Sequence, residues 1–199
     1  MKKGILLVFF ASSLIVAQAQ IKFGAKAGLN IAGLAGDDAD DFKSKLGFNL
    51  GGFVEVPIAE NFTVKPELMY SGQGAKFDDD DIDSKFALGY LNVPILGKYT
   101  SSSGFFGETG PQLGFLLSAK AKTDEVDVDV KDNFKGIDFG WAFGIGYEMA
   151  ESGFGVNARY NLGLSSIADD DDGDVSVKNS VFQIGVFKTF GGGASARRR

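Results

Sequence analysis

The chain contains no cysteine and no histidine. The first absence removes any disulfide framework. Together they remove zinc sites built on thiolate or imidazole and every Ser-His, Cys-His or His-Asp catalytic arrangement. Proline is scarce, at 4 residues, and the 3.6-residue leucine periodicity of amphipathic helices is missing. Positive charge is in deficit, with a formal net charge of −6. That excludes a nucleic-acid partner, which needs a basic surface. What is abundant is glycine, at 28 residues, and phenylalanine, at 19. Glycine with many aromatics and little proline points to strands rather than helices or disorder.

The start of the chain reads as an address. Lys2 and Lys3 precede an uncharged apolar run at residues 4–16, and Ala17-Gln18-Ala19 fits a small-x-small cleavage pattern. Residues 1–19 are therefore expected to be a secretory signal peptide, with the mature chain starting at Gln20. The apolar run is too short for a membrane-crossing helix, which takes about 20 residues. The remainder suits one domain over residues 20–190, followed by a basic tail at 191–199 that is expected to be flexible.

Within that domain the dominant period is 2. In residues 21–31, Ile21, Phe23, Ala25, Ala27, Leu29 and Ile31 alternate with Lys22, Gly24, Lys26, Gly28 and Asn30. Similar runs follow at 46–56, 62–74, 87–99, 105–120, 136–148, 154–165 and 181–190. Membrane-crossing strands need about 9–11 residues, whereas soluble strands average about 5–6. The expected fold is all-β, an eight-stranded antiparallel up-and-down transmembrane β-barrel. Short links (57–61, 100–104, 149–153) alternate with longer ones, as in outer-membrane barrels with short periplasmic turns and long outer loops. Both termini are then periplasmic and the long loops extracellular. The long loops hold most of the acidic residues, and Phe23, Phe62, Tyr99, Phe105, Tyr147, Phe154 and Phe190 fall beside the short turns or the termini as one aromatic girdle. Pro66, Pro94 and Pro111 lie inside expected strands, where each removes a ladder donor, so bulges are expected there.

Particular phrases carry a family likeness: Gly28-Leu29-Asn30; residues 66–74 (PELMYSGQG); residues 90–99 (YLNVPILGKY); residues 158–164 (ARYNLGL); and the closing segment from Lys178-Asn179 to Phe190. In these the chain resembles the PorT-type outer membrane β-barrel family of the Bacteroidetes over about residues 20–190. The resemblance implies a bacterial outer-membrane barrel. One member type serves protein secretion, but the phrases are not specific for that role. In the last strand, Gln183, Gly185 and Phe190 resemble the signal read by the outer-membrane assembly machinery. Lys188 and the residues after Phe190 depart from it.

Candidate sites are few. Lys26, Glu55, Lys65, Glu67, Glu108, Asp138, Glu148 and Arg159 fall on the polar faces of the runs. Eight strands leave an interior just wide enough for side chains, and buried charges must pair. An internal salt-bridge network is thus expected, in preference to a proton or ion path. Asp169, Asp170, Asp171, Asp172 and Asp174 are weak candidates for a Ca²⁺ or Mg²⁺ site, since hard cations take carboxylate oxygen. They lack the spacing of an EF-hand. Gly144 and Gly146 are expected to make room in a crowded interior rather than to cradle a nucleotide.

No catalytic residue and no cofactor is indicated. The expected function is that of a non-enzymatic outer-membrane barrel, structural or adhesive, or a subunit of an envelope or secretion assembly. Its expected partners are outer-membrane lipid, lipopolysaccharide bridged through divalent cations, and other envelope proteins. The alternative is a small-ligand or ion carrier, a lipocalin-like barrel or narrow channel. A lipocalin-like carrier needs an apolar interior and a polar exterior.

Overall fold

The structure, a computed structural model, describes residues 21–36, 42–77, 84–123, 126–169 and 176–191. The expected signal peptide at 1–19 and residues 192–199 of the expected tail lie outside the described residues. Among the described residues there are nine strands: β1 (Lys22–Ala35), β2 (Phe42–Pro57), β3 (Phe62–Phe77), β4 (Lys85–Thr100), β5 (Phe105–Lys122), β6 (Asp127–Asp129), β7 (Ile137–Glu148), β8 (Phe154–Gly163) and β9 (Lys178–Phe190). A 3-10 turn, Lys131–Asn133, lies between β6 and β7.

Eight of these strands close into an antiparallel ring, in the order β1-β2-β3-β4-β5-β7-β8-β9 and back to β1. The closing ladder runs from Phe23↔Phe190 to Ala35↔Lys178. Closure leaves no edge within the ring of eight. It also satisfies the backbone internally, which a lipid surround demands. The strand β6, a short hairpin partner of Lys120–Lys122 in β5, stands outside the ring. It occupies the flank that β5 exposes beyond its last pair with β7, Phe115↔Ile137.

Alternation puts each strand's apolar residues on the outer wall. Leu29 is 65% exposed, Leu46 73% and Ile145 69%, while Lys26, Asn30, Lys65, Glu67 and Arg159 are buried in the lumen. This inverts the soluble pattern and matches a wall that faces lipid. The expected aromatic girdle forms at the short-turn end. Phe62 and Tyr99 pair with centroids 5.0 Å apart, as do Phe105 and Tyr147, and Phe23 faces Phe190 across the closing ladder.

The prolines do not create bulges. Beside Pro66, the β2–β3 ladder lapses between Phe53↔Glu67 and Val56↔Val64. Beside Pro94, the β3–β4 ladder lapses between Pro66↔Ile95 and Met69↔Asn92. Beside Pro111, the β4–β5 ladder lapses between Pro94↔Gln112 and Gly97↔Thr109. Register is the same on both sides of each lapse. A residue in an antiparallel strand directs its N–H to one neighbour only. A proline therefore loses one ladder bond, and no inserted residue is needed to accommodate it. The register shifts lie elsewhere, between Ser44 and Asn49 and between Gly89 and Tyr90.

Candidate functional site

The lumen is built in layers, each supplied by the inward set of several strands. At its middle lies an ion quartet. Arg159 (β8) donates from Nη1 to Glu67 Oε2 at 2.6 Å and from Nη2 to Glu67 Oε1 at 2.8 Å. Its Nε donates to Glu108 Oε1 at 3.0 Å, and Nη2 reaches the same oxygen. Lys65 (β3) lies 3.1 Å from both Glu67 and Glu108. Each carboxylate thus meets both cations, in the fork geometry that favours arginine. Lys26 is also buried, at 2% exposure, yet its Nζ has no hydrogen-bond partner among the described residues.

Below the quartet, toward the short-turn end, Phe53, Phe106 and Phe187 pack edge to face, with centroids 6.0 and 5.8 Å apart about Phe187. The triad separates two cations. Lys65 Nζ sits 4.5 Å from the Phe53 centroid, and Lys98 Nζ sits 4.5 Å from that of Phe106. Each ring rests on a glycine of a neighbouring strand. An added Cβ would lie 2.0 Å from the Phe53 ring at Gly24, 2.4 Å from Phe106 at Gly146 and 2.2 Å from Phe187 at Gly155. Gly144 likewise leaves room for Glu108, whose Cγ would be 2.8 Å from an added Cβ. Past the triad, Lys98 pairs with Glu55 at 2.7 Å and Glu148 at 2.8 Å. A polar hollow of about 340 Å³ opens there at the short-turn end.

Above the quartet comes a belt of amides. Asn30 Nδ2 donates to Ser71 Oγ at 2.9 Å and to the Gly72 carbonyl at 2.8 Å. Its Oδ1 accepts from Asn49 at 2.6 Å and from Gln183 at 3.0 Å. The long-loop end is closed by an apolar plug of Leu88, Tyr90, Leu116, Ala119, Ile167 and Val177, with Phe134 packed against it. Two long connections meet to build it. Lys135 N–H donates to the Ile167 carbonyl, and Asp169 N–H to that of Asn133.

The eight sequence candidates all point into the lumen, and most join one of two ion clusters. Glu67, Glu108, Lys65 and Arg159 form the quartet, and Glu55 and Glu148 share Lys98. Asp138 is held by Ser165 and Asn179 instead, and Lys26 stands apart. Lys98 was legible as a polar-face residue of its run, but not as the centre of a second ion cluster. The Phe triad was not legible at all. Phe53, Phe106 and Phe187 fall on the polar-face parity of their runs, and only the opposing glycines create space for them. Of the candidate cation ligands, Asp169 is described and exposed. Asp170, Asp171, Asp172 and Asp174 lie outside the described residues. Among the described residues no group of three or more potential ligands gathers. Outside the lumen at the long-loop end, a hydrogen bond from Lys122 at 2.7 Å holds the Asp127 carboxyl below its ordinary range.

A closed ring with an apolar outer wall, an aromatic girdle and a charge-paired core defines a transmembrane β-barrel. The chain belongs to the family described as outer membrane protein beta-barrel domain, whose model matches residues 16–169. That family places it in the bacterial outer membrane. Among solved structures it is similar to Neisserial surface protein A, at 16% identity and a TM-score of 0.56, covering 84% of this chain and 97% of that one. It is also similar to Ail, the attachment invasion locus protein of Yersinia pestis (18% identity, TM-score 0.48, 85% and 98% covered). A third is the outer membrane protein OprG from Pseudomonas aeruginosa (16%, 0.47, 86% and 97%). At such identities the likeness to the Neisserial protein is one of fold alone. No curated protein sequence matches the chain.

Proposed function

We propose that this is a non-enzymatic, non-conducting outer-membrane barrel that works through its long-loop end. Its role is structural or adhesive, or that of a subunit in an envelope or secretion assembly. The observation that carries this reading is the filled lumen. From the short-turn end, a path meets the Lys98 cluster, then the Phe triad, then the quartet, the amide belt and the apolar plug. These layers fill the lumen with packed side chains, which argues against a hydrated route for ions.

The polar lumen and apolar exterior are the reverse of what a lipocalin-like carrier needs. In this reading the termini and short turns face the periplasm, and the acidic loops face outward. There Asp169, Asp170, Asp171, Asp172 and Asp174 meet divalent cations or, through them, lipopolysaccharide. The PorT-type phrases do not choose between the assembly-subunit role and the adhesive one.

Two measurements test the proposal. Extraction from the native membrane in mild detergent separates the roles, since a co-purifying stoichiometric set of envelope proteins would make it an assembly subunit. Purification alone would leave the structural or adhesive role. Reconstituted liposomes are expected to show no ion flux above empty controls, and a steady flux would replace this reading with the channel alternative.

A further inference from the structure

At the long-loop end the ladder places lysine beside lysine three times in succession. Lys43 pairs with Lys76, Lys76 with Lys85, and Lys85 with Lys122. The row crosses four adjacent strands, β2 to β5, and at an interstrand spacing of about 4.8 Å it spans about 14 Å. Lys76, Lys85 and Lys122 each lie within electrostatic reach of Lys45. Lys120 and Lys85 lie within reach of Asp127, which pairs with Lys122 at 2.7 Å.

Like charges placed directly opposite across a ladder are destabilising. Three such pairs in one row violate a local rule, and violations of that kind concentrate at functional sites. The position of the row is informative as well. Each of the four strands passes from an exposed apolar stretch to a lysine on its way to the long-loop end. In β5, Leu113, Phe115 and Leu117 precede Lys120 and Lys122. In β3, Leu68 and Tyr70 precede Lys76. In β2, Leu50, Phe48 and Leu46 lead to Lys43. The row therefore stands at the border of the lipid-facing wall, at headgroup height.

We infer that this lysine row binds the phosphate groups of an outer-leaflet lipid headgroup directly, with the acyl chains lying on the apolar wall of β2 to β5. The inference rests on the long-loop end facing the outer leaflet. It differs from bridging through the acidic loops, because ammonium groups need no divalent cation to hold phosphate.

The test uses the full chain in phosphatidylcholine nanodiscs, titrated in EDTA with diphosphorylated lipid A and with its dephosphorylated counterpart. The phosphorylated lipid is expected to bind and the dephosphorylated one not. The combined variant Lys76→Gln, Lys85→Gln, Lys122→Gln is expected to weaken binding on the order of 100-fold, and the three Lys→Arg changes to preserve it. If the combined variant lacks the fast unboiled gel mobility of a folded barrel, Lys85→Gln alone is expected to weaken binding about fivefold.

Four results would each overturn the inference. They are equal binding by the Gln variants, equal binding of the dephosphorylated lipid, loss of binding in EDTA, and full competition by inorganic phosphate at equal concentration. The third would assign the lipid to the acidic loops, and the fourth would make this a site for free phosphate. Undiminished lipid binding after deletion of residues 78–83 is also expected. Tighter binding would mean that the chain's own acidic loop occupies the row. Nanodiscs offer lipid to both rims, so orientation does not affect this outcome. Orientation is tested separately by labelling a cysteine placed in a long loop on intact cells.

Discussion

Arg159 shows how one side chain organises the lumen. It is 2% exposed and engages both carboxylates of the quartet. Taking two charges out of water is costly, and replacing a whole buried ion group by apolar residues is often neutral, but removing one partner strands the other. Arg159→Met is therefore expected to lower stability by about 3–5 kcal/mol, read by urea unfolding in lipid with Trp141, the one tryptophan, as the probe. Lys26 gives the opposite sign. Its buried ammonium has no hydrogen-bond partner among the described residues, and burying an unpaired charge is unfavourable. Lys26→Met is expected to leave stability unchanged or raise it in the same assay. Gly155→Val is expected to cost about 1–3 kcal/mol, because its Cβ would enter the Phe187 ring. The phrases that carry the family resemblance hold several of the lumen's pairing residues: Asn30, Glu67, Lys98, Arg159 and Asn179. Their meaning lies inside the barrel, which explains why they speak for a fold and not for a task.

At the scale of the strands, the three prolines matter together. Pro66, Pro94 and Pro111 lie on adjacent strands at neighbouring levels, since Pro66 pairs with Ile95 and Pro94 with Gln112. Their ladder lapses line up into a seam across β2 to β5. On the opposite side, β9 and β1 run thirteen residues in unbroken register. Amide hydrogen exchange in lipid is therefore expected to be faster along the seam, at Glu67, Leu68, Leu96 and Gly110, than at Ala27, Leu29 and Ile184 in the closing ladder. Equal protection would mean that other contacts hold the seam shut. The strand β6 follows from an element's length. Where β5 outruns its partner β7, an unpaired flank invites a strand, and residues 127–129 supply it.

For the whole molecule, the barrel and its cap are expected to be separable. The plug at the long-loop end depends on Ile167, fully buried against Leu88, Tyr90 and Leu116, whereas the ring depends on ladders and the lumen. Ile167→Ser is expected to open residues 126–136 and 164–177 to limited proteolysis. The core fragment is expected to keep its unboiled gel mobility. Loss of that mobility would show that the cap supports the ring.

The strand count, the sidedness of each strand, the alternation of short and long links and the girdle were all legible in the linear order. Lipid imposes a period of 2 and a length of about 10 residues on every crossing. The polar residues bound for the lumen were legible for the same reason. Which of them would pair was not, because Glu67 and Arg159 are ninety-two positions apart and only closure and register bring them into contact. Tertiary structure also decided that three phenylalanines with polar-face parity would pack together inside the lumen over three glycines. It decided that prolines would break ladders without shifting register. And it decided that lysines scattered from 43 to 122 would form one row, since each became a neighbour of the next through the stagger of strands around a closed ring.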